Sequence, residues 1–163
     1  MSSDAPPGLV IDAGPIIAIV DHREKEHVTA VRGLDLLISA RTHIVVPLPV
    51  VFEVFKWLAY NTHRELARMW LGQIQTGADV RFPDPADIDE VTAILFMMHA
   101  WRGSMEDALI VVTCKKERLP LWTYNYGTSR PSGTFSSGLL VDIRGLRGGG
   151  WLRPALGTLA ARD

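Results

Sequence analysis

The chain has 163 residues, 47% of them apolar, enough for one ordinary α/β-sized core that buries about 70% of the unfolded surface. Charged residues make up 21% and the formal net charge is −1, which excludes a disordered or fibrous chain and gives no global basic signature of a nucleic-acid binder. A lone cysteine, Cys114, excludes an intramolecular disulfide and fits a reducing compartment.

The first eight residues, MSSDAPPG, are a polar, proline-containing lead-in without the basic n-region of a signal peptide. Leu9-Val10-Ile11 reads as a short buried strand ending at Asp12, and Gly14-Pro15 opens a helix with proline where the first turn tolerates it. A second helix is predicted over about Glu24 to Ala40, with Val28, Val31, Leu34, Leu37 and Ile38 as its apolar stripe. His43 to Val46 is a β-branched strand. Leu48 to Tyr60 is a nearly all-round apolar helix that carries one acid, Glu53. Another helix covers about Arg64 to Gln75, and Val80 to Phe82 is a short third strand.

Pro85 to Trp101 reads as a long helix with Ile88, Val91, Ile94, Leu95 and Met98 inward, and Ser104 starts the next, running to about Glu117. Pro120 to Thr123 and Leu139 to Ile143 are the fourth and fifth strands, separated by a Gly-, Ser- and Thr-rich loop from Gly127 to Gly138. The expected organisation is one domain over 1–163, with 1–8 as a flexible lead-in and 144–163 as a tail. Short apolar strands alternating with helices predict an α/β fold with a mostly parallel central sheet of four to five strands and helices on both faces. The longest unbroken apolar run, Ile44 to Phe52, is too short to cross a bilayer and contains prolines, so a cytoplasmic protein without membrane contact is expected.

In such folds ligands gather at the carboxyl ends of the strands. Asp12 stands there, although capping the first helix would explain it as well. Glu53 lies within Val50-Val51-Phe52-Glu53-Val54-Phe55, where a charge is costly to bury unless paired, and Lys56 is its ordinary partner at i+3. Asp107 closes Ser104-Met105-Glu106-Asp107, an acid variant of the capping box. If the three acids converge, two bare charges about 4 Å apart cost roughly 4 kcal/mol at an effective dielectric of 20. A hard divalent cation such as Mg²⁺ or Mn²⁺ removes that cost. Other chemistries lack their residues. The five histidines form no HExxH pattern or Cys/His cluster, and the chain holds neither a Walker-type phosphate loop nor a G-x-S-x-G elbow. Cys114 sits in an apolar helix and reads as core, and the tryptophans read as packing residues.

Taken together, Val10 to Ala18 (VIDAGPIIA) resembles the opening of the PIN-domain family. Pro49 to Val54 (PVVFEV) resembles its second motif. Ser104 to Ile110 (SMEDALI), followed by Leu119 to Asn125 (LPLWTYN), is similar to its Asp-Ala helix and Thr-containing strand. The likeness spans Leu9 to Asn125 and is nearest to VapC-type toxins. It implies a Mg²⁺- or Mn²⁺-dependent endoribonuclease that hydrolyses RNA by metal-assisted in-line attack, as the toxin of a toxin–antitoxin pair. Asp12, Glu53 and Asp107 would be the catalytic, metal-holding acids, and Thr123 would help to position water. It also implies an antitoxin partner and a homodimer.

The chain departs from the family pattern at Asn125, where many members carry an acid, and Thr128 is not acidic either. Asn125 would then be a neutral metal ligand or water-holder, and one metal replaces two. Glu106 is a nearby acid, but as the neighbour of Asp107 it is expected to point elsewhere on the helix. Four arginines, Arg130, Arg144, Arg147 and Arg153, face the lone acid Asp142 in the same stretch and are candidates for holding the RNA backbone. A PIN-like module that binds RNA or protein without turnover is the alternative. A haloacid-dehalogenase-type phosphatase would need an acid where Gly14 stands, and a flavodoxin-like binder would suffer repulsion from Asp12.

Overall fold

The computed structural model describes residues 5–99, 101–124 and the strand at 139–141. Along the chain run β1 (Gly8–Ile11), α1 (Ala13–Val20), α2 (His27–Ser39), β2 (His43–Pro47), α3 (Leu48–Asn61), α4 (Arg64–Gly77) and β3 (Asp79–Arg81). They are followed by α5 (Pro85–Met97), α6 (Met105–Glu117), β4 (Leu121–Thr123) and β5 (Leu139–Val141). Asn125, Arg130, Arg144, Arg147 and Arg153, with the 127–138 loop and the 144–163 tail, lie outside the described residues.

The five strands are ordered β3-β2-β1-β4-β5. β1 pairs in parallel with β2 and β4, β2 pairs in parallel with β3, and only β5 is antiparallel. All four residues of β1 are buried, as a central strand covered on both faces must be. The chain steps outward from β1 to β2 to β3, then returns to lay β4 on the other side of β1. Right-handed crossovers therefore put α1 to α4 on one face and α5 and α6 on the other. The reversal creates a switch point between β1 and β4, where open parallel sheets bind ligands. The main core joins β1 and β2 to Val50, Val51, Val54 and Leu58 of α3 and to Trp70 and Trp122, while Val91, Ile94, Ala108, Leu109 and Val112 form a satellite core between α5 and α6.

Several expected details change. The inward face of α2 is Ala30 and Leu37, whereas Val28 is 60% and Ile38 61% exposed. Its small residues decide this. A Cβ on Gly33 would stand 3.1 Å from the Trp122 indole, so α2 rides close over β4 along the line through Ala30, Gly33 and Leu37. That helix begins only at His27, because 22–26 form turns closed by Glu24 N–H on Asp21 O and His27 N–H on Glu24 O. Helix α5 ends at Met97, four residues before the expected Trp101. Met98 and Trp101 are apolar because they pack on the satellite core from a turn, with Trp101 N–H bonded to Met98 O. Gly8 belongs to β1, and the carbonyls of Pro6 and Pro7 accept from Thr42 Oγ1 and His43 N. Among the described residues no helix is long and apolar enough to cross a membrane.

Candidate active site

Asp12 follows the last residue of β1 and is the N-cap of α1, its Oδ1 accepting from Ala13 N at 2.7 Å. The register pairs Ile11 with Trp122, so the next residues, Asp12 and Thr123, stand side by side across the switch point. Trp122 points to α2, which turns Thr123 to the opposite face of the sheet. There its hydroxyl donates to Asp12 Oδ2 at 2.6 Å. Both partners are buried, at 9% and 4% exposure. The main chain locks the same junction, since Asp12 N donates to Trp122 O at 3.0 Å.

Loss of hydration raises the Asp12 pKa, the Thr123 hydroxyl and the Ala13 N–H oppose the rise, and the charge of Asp107 adds to it. Glu53 is also raised, by lost hydration first and then by the charges of Asp12, Asp107 and Glu106, with Lys56 acting the other way. The fold thus brings the fields of Asp12, Glu53 and Asp107 to one place. Asp12 and Asp107 sit at the N-termini of α1 and α6, where the helix dipole partly offsets negative charge, whereas Glu53 lies in the second turn of α3. Glu53, for which a costly buried charge and an ordinary surface pair with Lys56 were both open, is on the exposed side of α3. That helix buries Val50, Val51, Val54 and Leu58 and turns position 53 outward.

Asp107 does double duty. The capping box is present in full: Ser104 N donates to Asp107 Oδ2 at 2.7 Å, and Asp107 N donates to Ser104 Oγ at 3.1 Å. Glu106, expected to point elsewhere on the helix, is exposed and acts on the candidate acids only through its charge. Its charge reaches Glu53, while its own pKa is lowered by its main-chain N–H, by Ser104 and by the charge of Lys56. Among the described residues no three His, Cys, Asp or Glu side chains stand close enough together to enclose a metal ion. Cys114 is fully buried beneath the site, its thiol pushed far up by burial and then by Asp12, so it is core and not nucleophile.

The sequence matches no family model and no curated protein sequence. Solved structures do match. VapC20 of Mycobacterium tuberculosis, a sarcin–ricin-loop-cleaving toxin, superposes with a TM-score of 0.62 at 15% identity, over 72% of this chain and 89% of its own. VapBC2 from Rickettsia felis, bound to a DNA fragment from its promoter, gives 0.57 at 14% identity, over 72% and 88%. A toxin–antitoxin complex from Klebsiella pneumoniae gives 0.53 at 18% identity, over 72% and 86%. The chain has the PIN-like α/β fold of these VapC-type toxins.

Proposed function

We propose that this chain is a divalent-metal-dependent endoribonuclease, the toxin half of a toxin–antitoxin pair, with Asp12, Glu53 and Asp107 as its catalytic acids. One observation carries the reading. At the strand-end switch point a buried aspartate is pinned by the Thr123 hydroxyl, and its pKa is raised by lost hydration first and by the charge of Asp107 last. Carboxylates left to repel one another at a strand end cost stability unless a cation joins them.

The donor chemistry fits a hard cation, because the oxygens offered are carboxylate, with the Asn125 amide next along the chain. Asp12 and Asp107 each keep acceptor capacity beyond the hydrogen bonds described, and Glu53 stands on an exposed, adaptable side chain. When bound, Mg²⁺ or Mn²⁺ supplies charge neutralisation and polarisation of a phosphodiester. The chain's own residues do the rest. Thr123 fixes the Asp12 carboxylate, and the capping box holds Asp107 at the first turn of α6. Arg130, Arg144, Arg147 and Arg153 hold the RNA backbone, Asn125 holds water or a single metal as a neutral ligand, and an antitoxin chain and self-association belong to the same reading.

A second reading, a PIN-like module that binds without turnover, draws on Asp107 Oδ2 being committed to Ser104 N and on the open spacing of the acids. Incubation of single-stranded RNA with the purified chain, in Mn²⁺ or in chelator, separates the two. The ribonuclease reading expects cleavage in Mn²⁺ that chelator abolishes and that Asp12→Asn and Asp107→Asn each reduce at least about 100-fold. Cleavage unaffected by either substitution, or absent from the parent, overturns it.

A further inference from the structure

Helix α3, read as nearly all-round apolar with one acid, buries only one face and leaves large aromatics on the other. Its buried residues, Val50, Val51, Val54 and Leu58, occupy one face. The opposite face shows Phe52, Glu53, Lys56 and Tyr60 to solvent. Two of these are large aromatics, Phe52 at 65% and Tyr60 at 82% exposure. Positions 52, 56 and 60 follow one another at i, i+4 and i+8, which lays an aromatic, a cation and an aromatic along a single slowly winding stripe. Phe52 and Tyr60 then stand roughly 12 Å apart along the axis, with Lys56 midway.

The stripe begins where the candidate acids are. Phe52 adjoins Glu53 on the same solvent face, and the charge of Lys56 reaches both Glu53 and Glu106. None of the ion pairs among the described residues engages Lys56. Its ammonium is therefore positioned at the border of an acidic site without being consumed by it. Just past the end of the helix, exposed Arg64 opens α4.

We infer that the exposed Phe52–Lys56–Tyr60 stripe of α3 is a docking track for single-stranded RNA, leading the substrate to the acids at the head of the same helix. The inference rests on the ribonuclease reading above and deepens it. The chemistry favours this occupant. An unpaired base has a π-face that stacks on an aromatic ring whatever its sequence, and the phosphate between two stacked bases needs a cation between the rings. A purely apolar partner surface would leave Lys56 buried against it without a counter-charge. Continuity with Glu53 supplies direction, since a strand lying on the track is delivered to the candidate acids.

The test uses the full chain in chelator, with a short fluorescein-labelled single-stranded RNA of mixed sequence, a duplex of the same sequence, and light scattering to follow the mass of each variant. Phe52→Ala and Tyr60→Ala should each weaken single-strand binding roughly tenfold. Phe52→Tyr and Tyr60→Phe, which keep a ring, should bind like the parent. Lys56→Gln should lower the slope of log affinity against log salt by about 0.7, the contribution of one phosphate on a single strand. In Mn²⁺ the two alanine variants should raise KM for RNA cleavage more than they lower kcat.

Equal affinity of alanine variants and parent overturns the track, as does duplex binding as tight as single-strand binding. A fall in mass on Phe52→Ala or Tyr60→Ala overturns it too, because the face is then occupied by a second copy of the chain. A parent that cleaves RNA while these variants behave normally removes the track and leaves the ribonuclease reading intact. A parent that binds RNA on the track but never cleaves it removes the ribonuclease reading instead.

Discussion

Asp12 shows how a single residue serves both fold and site. Its Oδ1 caps α1 and its Oδ2 takes the Thr123 hydroxyl, so two strands and a helix are tied at one carboxylate. Its pKa lies above the ordinary value, mainly through lost hydration. The folded chain then holds that proton more tightly than the unfolded one. Without metal, the stability this confers is fully present below the ordinary carboxylate value and is lost as pH rises through the raised one. Glu53 acts in the same sense. Asp21 acts in the opposite sense, because hydrogen bonds from Arg23 hold it down to about 2, and its contribution is lost only in stronger acid. Thr123→Val removes a buried donor to the charged form of Asp12. It should cost about 1–3 kcal/mol at neutral pH and less once Asp12 is protonated, as melting against pH in chelator would show. A penalty of equal size at every pH would mean that Thr123 acts through packing and not through the carboxylate.

At the scale of elements, α6 shows both the reach and the limit of local rules. Its capping box, Ser104 with Asp107, was readable from four letters of sequence, because the chemistry is local and the spacing fixed. The other end falls at Glu117 as expected, but its cap was not foreseen, since Arg118 closes the helix in the left-handed region at φ 57, where glycine would be the usual signal. Ser104→Ala should lower stability by about 1 kcal/mol. Arg118→Gly should raise it by about 0.5–1 kcal/mol, because the exposed side chain offers no compensation for the strained backbone. Chemical denaturation of both variants checks this pair, and opposite signs are the expected outcome. Sequence periodicity misjudged α2 for a related reason. Hydrophobicity pointed to Val28 and Ile38, but the contact is set by the absent side chain of Gly33 beneath Trp122, which a scale of side-chain apolarity cannot register.

For the whole molecule, the parallel core and the position of Asp12 followed from the alternation of short β-branched runs with helices. The edge was less legible. Pairing β5 antiparallel to β4 depends on contacts distant in sequence, which local pattern does not carry. Of the candidate site residues, Asp12 and Asp107 were visible as strand-end and helix-start acids. For Glu53 the apolar neighbourhood in sequence left burial and a surface pair with Lys56 both open, and the helix turns the residue outward. Phe52 and Tyr60 were hidden by the same apolar reading, although the i, i+4, i+8 spacing around Lys56 was there to be seen.

The central claim is that Asp12, Glu53 and Asp107 repel one another until a divalent cation joins them. Thermal melting of the parent, Asp12→Asn and Asp107→Asn, in chelator and across a Mn²⁺ titration, tests it most directly. In chelator Asp12→Asn should melt no lower than the parent, because it removes a charge that the fold disfavours while keeping the side-chain shape. With Mn²⁺ at about 100 times its dissociation constant the parent should gain about 2.7 kcal/mol of stability, and both variants much less. The same Mn²⁺ gain in all three proteins would contradict the account, for the metal would then be binding somewhere else.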